Sequence, residues 1–247
     1  MKKKRLKIWI VIIFAIICLG LCIYSIYNIV IWKLNVDSNN DINEKVKEYI
    51  NIDDDGTENY DIDFKSLRII NSEVVGYIKV NGTNIDYPVV QGTNNSYYLK
   101  HNLKKEYNIA GWIFADYRNK LDGSDKNLII YGHNTKDGSM FGSLKNILDS
   151  TWQNNKNNLQ VILVTEKGQF KYQVFSTYSI EPEDYYINTN FNSDTDYEKF
   201  LKTIKNRSNH DYSVSISTND KILTLSSCMN AGQKRVVLHA KLIEGED

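Results

Sequence analysis

The stretch KILTLSSCMNAGQKRVVLHAKL, residues 221–242, predicts two β-strands joined by a short loop. The first strand is predicted at 222–225, and Cys228 follows just as this strand ends. In the returning strand, 236–242, alternate side chains point to opposite faces. The face expected to meet the core carries Val236, Leu238, Ala240 and Leu242, and the other face carries Arg235, Val237, His239 and Lys241.

The loop of this hairpin separates two reactive side chains, Cys228 and Arg235. Strand ends and loops often carry catalytic groups, and a guanidinium beside a cysteine favours the thiolate or holds an oxyanion. For a lone cysteine in the body of the protein, the alternative is a buried and inert thiol. For Arg235, the alternative is a rim arginine paired with a carboxylate. The spacing alone leaves both alternatives open.

A third reactive side chain is His133, in the segment YGHNTKDGSMFGSL that begins at Tyr131. A predicted apolar strand, 128–131, runs into Gly132 and His133, so the imidazole lies at a strand end beside a glycine that permits close approach. Imidazole protonates a leaving amine near neutral pH, which makes it a natural partner for a cysteine nucleophile. The alternative is a loop histidine without a role.

Aromatic residues precede a predicted late helix, 194–207, which Ser193 or Asp194 can cap. Tyr185, Tyr186 and Ile187 lie in the segment EPEDYYINTNF. Exposed aromatic side chains in a loop can line a peptide groove. A small core beneath the helix explains the same spacing equally well.

The body of the chain has a mostly β pattern. Besides the strands given above, the alternation of apolar residues predicts strands at 74–80, 85–90, 111–115, 159–165, 170–178 and 213–217. A second helix is predicted at 139–148. Many strands with few helices indicate a β-barrel or sandwich with helical insertions.

Residues 8–32 contain no charged side chain and predict a membrane span. As a helix these residues would be about 37 Å long, enough to cross a hydrocarbon core of about 30 Å. Five basic residues lie among the first seven, which predicts a cytoplasmic N-terminus and an extracellular body. A cleaved signal peptide is the alternative, although its apolar core is usually shorter, about 7–15 residues.

A polar region follows the apolar segment. Ile42, Val46, Tyr49 and Ile50 fall on one face of a short amphipathic helix, which we interpret as a stalk helix packed on the body. The acidic run 53–56 lacks the ligand spacing of a calcium loop and is interpreted as a solvated linker. The formal net charge is zero, which gives no indication of nucleic-acid binding.

Several of these segments together resemble a known family. The run Thr224-Leu225-Ser226-Ser227-Cys228, with Arg235 opening the next strand, resembles the TLxTC…R signature of sortases, with Ser227 where threonine is usual. Three further segments resemble class B sortases in particular: the His133 segment, GWIFADYRN from Gly111, and VVQGTNNSYYL from Val89. The similarity covers most of residues 70–245, in order.

The resemblance implies a mostly β fold, a closed eight-stranded barrel with N-terminal helices and a long helix between late strands, preceded by one transmembrane helix. It implies that Cys228 is the nucleophile, His133 the general acid and base, and Arg235 the clamp for the oxyanion and the substrate backbone. The substrate-binding residues implied by it are Asn95, Leu99, Tyr186, Ile187, Ser226 and Ser227.

The expected domains follow from the membrane span and the resemblance. Residues 1–7 form a basic cytoplasmic N-terminus, 8–32 the transmembrane anchor, 33–65 a stalk and N-terminal helical region, and 66–247 the catalytic barrel. The expected location is the cell membrane, with the catalytic domain outside.

The activity that the resemblance implies is that of a cysteine transpeptidase. It cuts a C-terminal sorting signal, NPxTN-like or xPxTG-like, after threonine through a thioacyl enzyme, and transfers the protein to an amine of a peptidoglycan precursor or cross-bridge. No cofactor or metal is expected, because one amide bond is exchanged for another. The loop 229–234 is shorter than in some class B relatives and bears on substrate preference. Two alternatives remain, a hydrolytic cysteine peptidase and a membrane-tethered binding module with an inert thiol.

Overall fold

The computed structural model describes residues 2–52, 59–228 and 234–245, without the side chains of residues 2–6 and 228. Two compact units make up the chain, Met1–Ser38 and Asn39–Asp247. The first unit is helical, since helix α1 begins at Lys2 and ends at Val46. The predicted acidic linker 53–56 lies outside the described residues.

Among the described residues, α1 is the helix that is long and apolar enough to cross a membrane. Its apolar side chains between Ile8 and Val30 are exposed, which is the pattern of a helix whose surroundings are lipid rather than protein. The apolar helix is therefore a candidate membrane anchor.

The predicted stalk helix is not a separate element, because α1 continues without a break to Val46. Ile42 and Val46 are buried in the second unit, as predicted. Tyr49 ends a short 3₁₀ helix, Lys47–Tyr49, and Ile50 begins a strand. The predicted apolar face is thus helical only in its first half, and its second half packs on the core from other elements.

The second unit is built on a closed barrel of eight strands, in the order β10-β8-β7-β3-β4-β5-β6-β9. These strands are β3 (Val74–Val80), β4 (Asp86–Val90), β5 (Phe114–Ala115), β6 (Asn127–His133), β7 (Gln160–Thr165), β8 (Gly168–Ile180), β9 (Ile222–Cys228) and β10 (Arg235–Glu244). A small separate sheet pairs β1 (Ile50–Ile52) with β2 (Tyr60–Ile62), and helix α2 (Phe64–Ile70) follows it. The closed eight-stranded barrel implied by the resemblance is confirmed.

Helix α4 (Asp194–Asn206) connects β8 to β9 and creates a second core outside the barrel. Ser193 caps its N-terminus by accepting a hydrogen bond from Asp196 N–H, as predicted. One face of α4 buries Tyr197, Phe200, Leu201 and Ile204. These side chains pack with residues of β8 and β10, including Phe175, Tyr178 and Val237. The long late helix implied by the resemblance is therefore present.

The second core changes the interpretation of β10. Val236, Leu238 and Ala240 belong to the barrel core, as the alternation predicts. The opposite face is buried as well, because Val237 lies in the second core and His239 is fully buried. The alternation identified the two faces correctly, but the sequence did not indicate that a helix covers the outer one.

The predicted strand 213–217 is wrong. Its side chains alternate between exposed and half-buried, but no strand among the described residues pairs with it. Its carbonyl oxygens accept hydrogen bonds from lysine ammonium groups instead: Lys205 donates to Val214 O and Lys241 to Ser215 O. Alternation therefore reported that one side of the segment packs on the protein, which is not sufficient for a strand.

Two other predicted elements are shorter or different. Of the predicted strand 111–115, only Phe114–Ala115 pairs in the sheet. The predicted helix 139–148 is a 3₁₀ helix, Gly142–Leu148, followed by a short α3, Ser150–Gln153. Met140 has a φ of 48°, which is incompatible with a regular helix beginning at residue 139.

Candidate active site

His133 and Cys228 end two neighbouring strands of the barrel. Strands β6 and β9 run parallel, and His133 is the register partner of Cys228. Because paired strands lie about 4.8 Å apart, the two backbones are adjacent. The side chain of Cys228 lies outside the described part of the chain. The strand pairing thus brings together two residues that are distant in the sequence.

Arg235 begins β10, which lies on the other side of β9. The antiparallel register of these strands pairs Val237 with Ser226. The backbone N–H of Val236 donates a hydrogen bond of 2.8 Å to Ser227 Oγ. This bond ties the residue before Cys228 to the residue after Arg235. His133, Cys228 and Arg235 therefore lie at one end of the barrel, where two adjacent strands end and a third begins.

The imidazole of His133 is held in one orientation. Its Nε2 donates to the carbonyl oxygen of Leu99 at 2.7 Å, which fixes the proton on Nε2 and leaves Nδ1 as the other nitrogen. Burial lowers the pKa of His133, and the hydrogen bond to the Leu99 carbonyl opposes that effect only in part. Considered apart from the Cys228 thiol, His133 is therefore a neutral imidazole at neutral pH.

Gly111 packs directly against the imidazole of His133 and the backbone of Tyr98 and Leu99. It has a φ of 59°, and a Cβ at this position would lie 2.8 Å from His133 Cδ2 and 2.5 Å from Tyr98 O. The carbonyl oxygen of Gly111 accepts a hydrogen bond of 2.8 Å from the buried amide of Asn39. Only glycine fits between the histidine and the Tyr98–Leu99 backbone that orients it.

Replacing Gly111 by alanine is expected to displace His133 and the Leu99 carbonyl, and to lower kcat/KM about 10-fold or more. Thermal unfolding should also occur at a lower temperature, because the new Cβ is strained at positive φ. The matched control is Gly138→Ala, where φ is 86° but the nearest atom to the added Cβ is 3.7 Å away. That variant should show the backbone strain without the loss of activity, and equal activity losses in both variants would contradict the explanation.

The guanidinium of Arg235 is anchored at one nitrogen. Nη1 donates to Glu183 O at 3.0 Å, to the Tyr186 hydroxyl at 3.2 Å and, at 3.5 Å, to the carboxylate of Asp184. Burial acts to lower the pKa of Arg235, but the hydrogen bond with Tyr186 and the charge of Asp184 outweigh it and raise the pKa. Arg235 is therefore a permanent cation at this end of the barrel.

The three residues considered for a peptide groove, Tyr185, Tyr186 and Ile187, differ in burial. Tyr186 is fully buried and belongs to the second core, so the small core beneath the helix is the correct interpretation for this ring. Its hydroxyl reaches Ser226 Oγ at 2.9 Å as well as Arg235. Tyr185 and Ile187 are only half-buried, beside it in the 3₁₀ helix Tyr185–Ile187.

The two serines of the signature are buried and use their hydroxyls inside the protein. Ser226 is paired with the Tyr186 hydroxyl, and Ser227 accepts from Val236 N–H. Both serines therefore stabilise the strand end that carries Cys228. Serine replaces the usual threonine at position 227 but keeps its hydroxyl. This hydroxyl accepts the hydrogen bond from Val236 N–H.

Asn95 is held by a carboxylate that the sequence analysis did not single out. Asp116 is fully buried; it accepts from Asn95 Nδ2 at 2.8 Å and from the Tyr131 hydroxyl at 2.9 Å, and it is paired with Arg118. Burial acts to raise the pKa of Asp116, but the hydrogen bonds from Arg118 and Asn95 lower it below its usual value. Arg118 Nη2 also donates to Ile187 O at 2.9 Å, so Asp116 links the segments of two predicted substrate-binding residues.

Asn127 is a second residue that sequence reasoning missed. It is fully buried at the start of β6, and its side-chain amide donates to Tyr186 O and Asn188 O. An available signal was the polar residue directly before the apolar run LIIY, just as Asp116 directly follows the apolar IFA. Buried polar residues at strand ends are retained only when they are hydrogen-bonded.

Comparison with known proteins agrees with this arrangement of strands. The model of the family described as the Sortase domain matches residues 78–243, and the chain belongs to the sortase family. Sortase B of Listeria monocytogenes is 39% identical over 186 residues, which cover 73% of this chain and 74% of that protein.

Solved structures give the class within the family. Sortase B from Bacillus anthracis in complex with AAEK1 is 37% identical with a TM-score of 0.75, and the match covers 85% of this chain and 99% of that one. A Staphylococcus aureus sortase B–substrate complex is 38% identical with a TM-score of 0.69, over 73% of this chain and 84% of that one. The chain is accordingly a class B sortase, and as such a cysteine transpeptidase.

Proposed function

We propose that this enzyme cleaves a C-terminal sorting signal after its threonine and joins the cut protein to a peptidoglycan amine. The observation that carries the proposal is the meeting of three strand ends, in which His133 is the register partner of Cys228 and Arg235 opens the strand on the other side. A sulfur nucleophile, an imidazole that transfers protons and a guanidinium that stabilises an oxyanion together suit acyl transfer through a thioester.

In the proposed first step, Nδ1 of His133 takes the proton of the Cys228 thiol, and the resulting thiolate attacks the carbonyl carbon of the threonine. The carbon–sulfur bond forms, and the electron pair of the carbonyl moves to oxygen. The intermediate collapses with cleavage of the peptide bond, and the departing nitrogen takes a proton from His133. The products are a thioacyl enzyme and a free amine-terminated fragment.

His133 is proposed to handle this proton through Nδ1. Nε2–H is engaged by the Leu99 carbonyl, which leaves Nδ1 for the thiol and the departing amine. Because burial lowers the pKa of His133, its protonated form is a stronger acid than a solvated imidazolium and gives up its proton readily. The apparent pKa values of thiol and imidazole would belong to the coupled pair.

Arg235 is proposed to stabilise the oxyanion and to hold the substrate backbone. Among the described residues, Nη1 makes all the hydrogen bonds of the guanidinium, so Nε and Nη2 have no partner there. A cation that is anchored at one nitrogen and has two other nitrogens available suits a negative charge that develops at a fixed point.

The second step is proposed to be attack by an amine of a peptidoglycan precursor or cross-bridge. The amine nitrogen bonds to the thioester carbon, the carbon–sulfur bond breaks, and neutral His133 accepts the proton. The thiolate is regenerated and an amide replaces the original amide, so no external energy source is consumed. The partners are then surface proteins that carry the sorting signal, and the cell-wall amine.

The substrate groove is proposed to lie between the Asn95–Leu99 segment and Ile187. Leu99 and Ile187 are half-buried and pack on the cores, so part of each side chain remains accessible. Asn95 uses both ends of its amide within the protein, since its oxygen accepts from Tyr117 N–H. We therefore assign Asn95 to shaping the groove. The sorting motif is NPxTN-like or xPxTG-like, and residues 229–233 of the adjoining loop lie outside the described residues.

The enzyme is proposed to be anchored with its N-terminus in the cytoplasm and its barrel outside. Five of the first seven residues are basic, and the rule that positive charge stays inside gives this orientation. An extracellular barrel would meet both the secreted client proteins and the cell-wall amine.

The proposal is tested with the full chain in detergent micelles, quenched peptides that carry either sorting motif, and an added amine nucleophile. One motif is expected to give an amine-dependent ligation product and a covalent adduct on Cys228 in mass spectra. Steady hydrolysis that is unaffected by the amine would favour a peptidase. No adduct with any peptide, together with an unreactive Cys228, would favour a binding module.

A further inference from the structure

A buried histidine that the proposed reaction does not use lies on the outer face of β10. His239 is fully buried, and both of its ring nitrogens have hydroxyl partners. Nε2 lies 2.8 Å from the hydroxyl oxygen of Tyr178, and Nδ1 lies 2.9 Å from Thr224 Oγ1. The rings of Tyr178 and Tyr186 pack against the imidazole. Such an environment fixes the ring in one place.

The hydrogen bonds through His239 have one consistent direction. Tyr185 donates its hydroxyl proton to the Tyr178 oxygen at 3.1 Å, so Tyr178 donates its own proton to His239 Nε2. The Nδ1–H of His239 then donates to Thr224, and the Thr224 hydroxyl donates to Asn127 Oδ1 at 2.6 Å. This direction requires a neutral imidazole, and burial lowers the pKa of His239 to about 3, which keeps it neutral.

The network returns to the segment from which it starts. Its last member, Asn127, donates from Nδ2 to Tyr186 O at 3.2 Å and to Asn188 O at 2.8 Å. Its first member, Tyr185, lies in the same segment. Residues 185–188 are therefore held at one hydroxyl and at two carbonyl oxygens by a single network whose central member is His239. Breaking the network at its centre removes the support that Tyr178 and Thr224, on the two sides of the network, receive from His239.

The same segment anchors Arg235. The Tyr186 hydroxyl accepts from Arg235 Nη1 and is also hydrogen-bonded to Ser226 Oγ, two residues before Cys228. The carbonyl of Glu183, next to this segment, also accepts from Arg235. A displacement of residues 185–188 would thus move the anchor of the guanidinium relative to the strand end that carries the cysteine.

We propose that His239 is a positioning residue: it holds residues 185–188 through Tyr178, Thr224 and Asn127, and thereby aims the guanidinium of Arg235. His239 does not touch the substrate, and its effect on the reaction is transmitted through Arg235. This inference rests on the proposed function, in which Arg235 stabilises the oxyanion. It assigns a role to a histidine that the sequence placed merely on the outer face of the last strand.

The test is a double-mutant cycle on kcat/KM for sorting-peptide cleavage, with the full chain in detergent micelles. His239→Phe is expected to lower kcat/KM about 10-fold in the otherwise unchanged enzyme, and less than about 2-fold in the Arg235→Ala background. The fall should appear in kcat rather than in KM, because the oxyanion exists only after the substrate is bound. The rate of Cys228 alkylation by iodoacetamide should change by less than about 2-fold, because alkylation forms no oxyanion.

Two further variants separate positioning from folding. Tyr178→Phe removes one hydroxyl and keeps the ring, so the fold should persist while kcat/KM falls about 3-fold or more, again only when Arg235 is present. Val237→Ala is the matched control, since Val237 is buried in the second core of the same strand without belonging to the network. It should lower the unfolding temperature and leave kcat/KM within about 2-fold.

Each failure has its own signature. If His239→Phe and Arg235→Ala give independent, multiplicative losses, His239 does not act through Arg235 and the inference is overturned. Equal losses for Val237→Ala and Tyr178→Phe would reduce the effect to general destabilisation and overturn it as well. If Arg235→Ala alone leaves kcat/KM unchanged, the proposed role of Arg235 fails, and the positioning role fails with it.

Discussion

Replacing His133 by alanine is expected to lower kcat/KM for a sorting peptide by about 10²–10⁴-fold, the range measured for the loss of a general acid or base. The substitution removes the group that protonates the departing amine and that accepts the proton of the incoming one. It also leaves Cys228 without its neighbour on the adjacent strand end. The first-step and second-step rates should therefore both fall, which single-turnover and steady-state measurements with added amine will distinguish.

The matched control is His210→Ala. His210 lies four residues beyond the end of α4, half-buried beside Tyr212, in a segment separate from the three strand ends. This variant should keep kcat/KM within about 2-fold, since it changes one imidazole without changing the candidate site. Comparable losses in the two variants, or a His133→Ala enzyme with nearly full activity, would remove His133 from the mechanism.

The chemistry-bearing residues were predictable from the sequence because each one lies at the end of a strand with a strong local pattern. The apolar runs before Gly132 and Cys228 identified strands β6 and β9, and both end within three residues of the predicted bounds. What the sequence could not give is the adjacency of these ends. The parallel pairing of β6 with β9 joins strands separated by most of the second half of the chain, and local periodicity carries no information on it.

The supporting residues were less predictable, since their roles depend on which elements meet. Asp116 and Asn127 are polar residues beside apolar runs, and their sequence context marks them as strand boundaries. Their burial is tolerated only because partners arrive from distant segments, Asn95 and Tyr131 for Asp116, and Thr224 for Asn127. The same holds for Tyr186, whose spacing suits a groove or a core equally well until α4 is seen to cover it.

The errors in the sequence predictions have the same origin. Residues 213–217 alternate like a strand because one side packs against α4, yet the closed barrel offers no free edge for pairing. Lysine side chains satisfy two of the carbonyl groups that a neighbouring strand would otherwise bind. A period of two therefore identifies a segment with one half-buried face, and tertiary structure decides whether it becomes a strand.

Arg235→Ala should lower kcat/KM about 10²–10³-fold, the cost typical of losing one oxyanion-stabilising donor. The loss should appear mainly in kcat, because the charge that Arg235 meets is absent from the bound ground state. Arg235→Lys should recover only a small part of the activity. A lysine ammonium restores the charge, but it does not provide one nitrogen for the Tyr186 anchor and two others for the substrate.

Lys234→Ala serves as the matched control, since it removes the positive charge of the neighbouring residue. The Lys234 side chain is exposed, and its one ion pair among the described residues is long, 3.9 Å from Nζ to the carboxylate of Glu181. That variant should retain kcat/KM within about 2-fold, which would show that the general positive potential at this end of the barrel is not what matters. Full activity in Arg235→Lys would instead mean that charge alone is sufficient. In that case, the hypothesis that the reaction needs a guanidinium held in a fixed geometry by Tyr186 and Glu183 would be wrong.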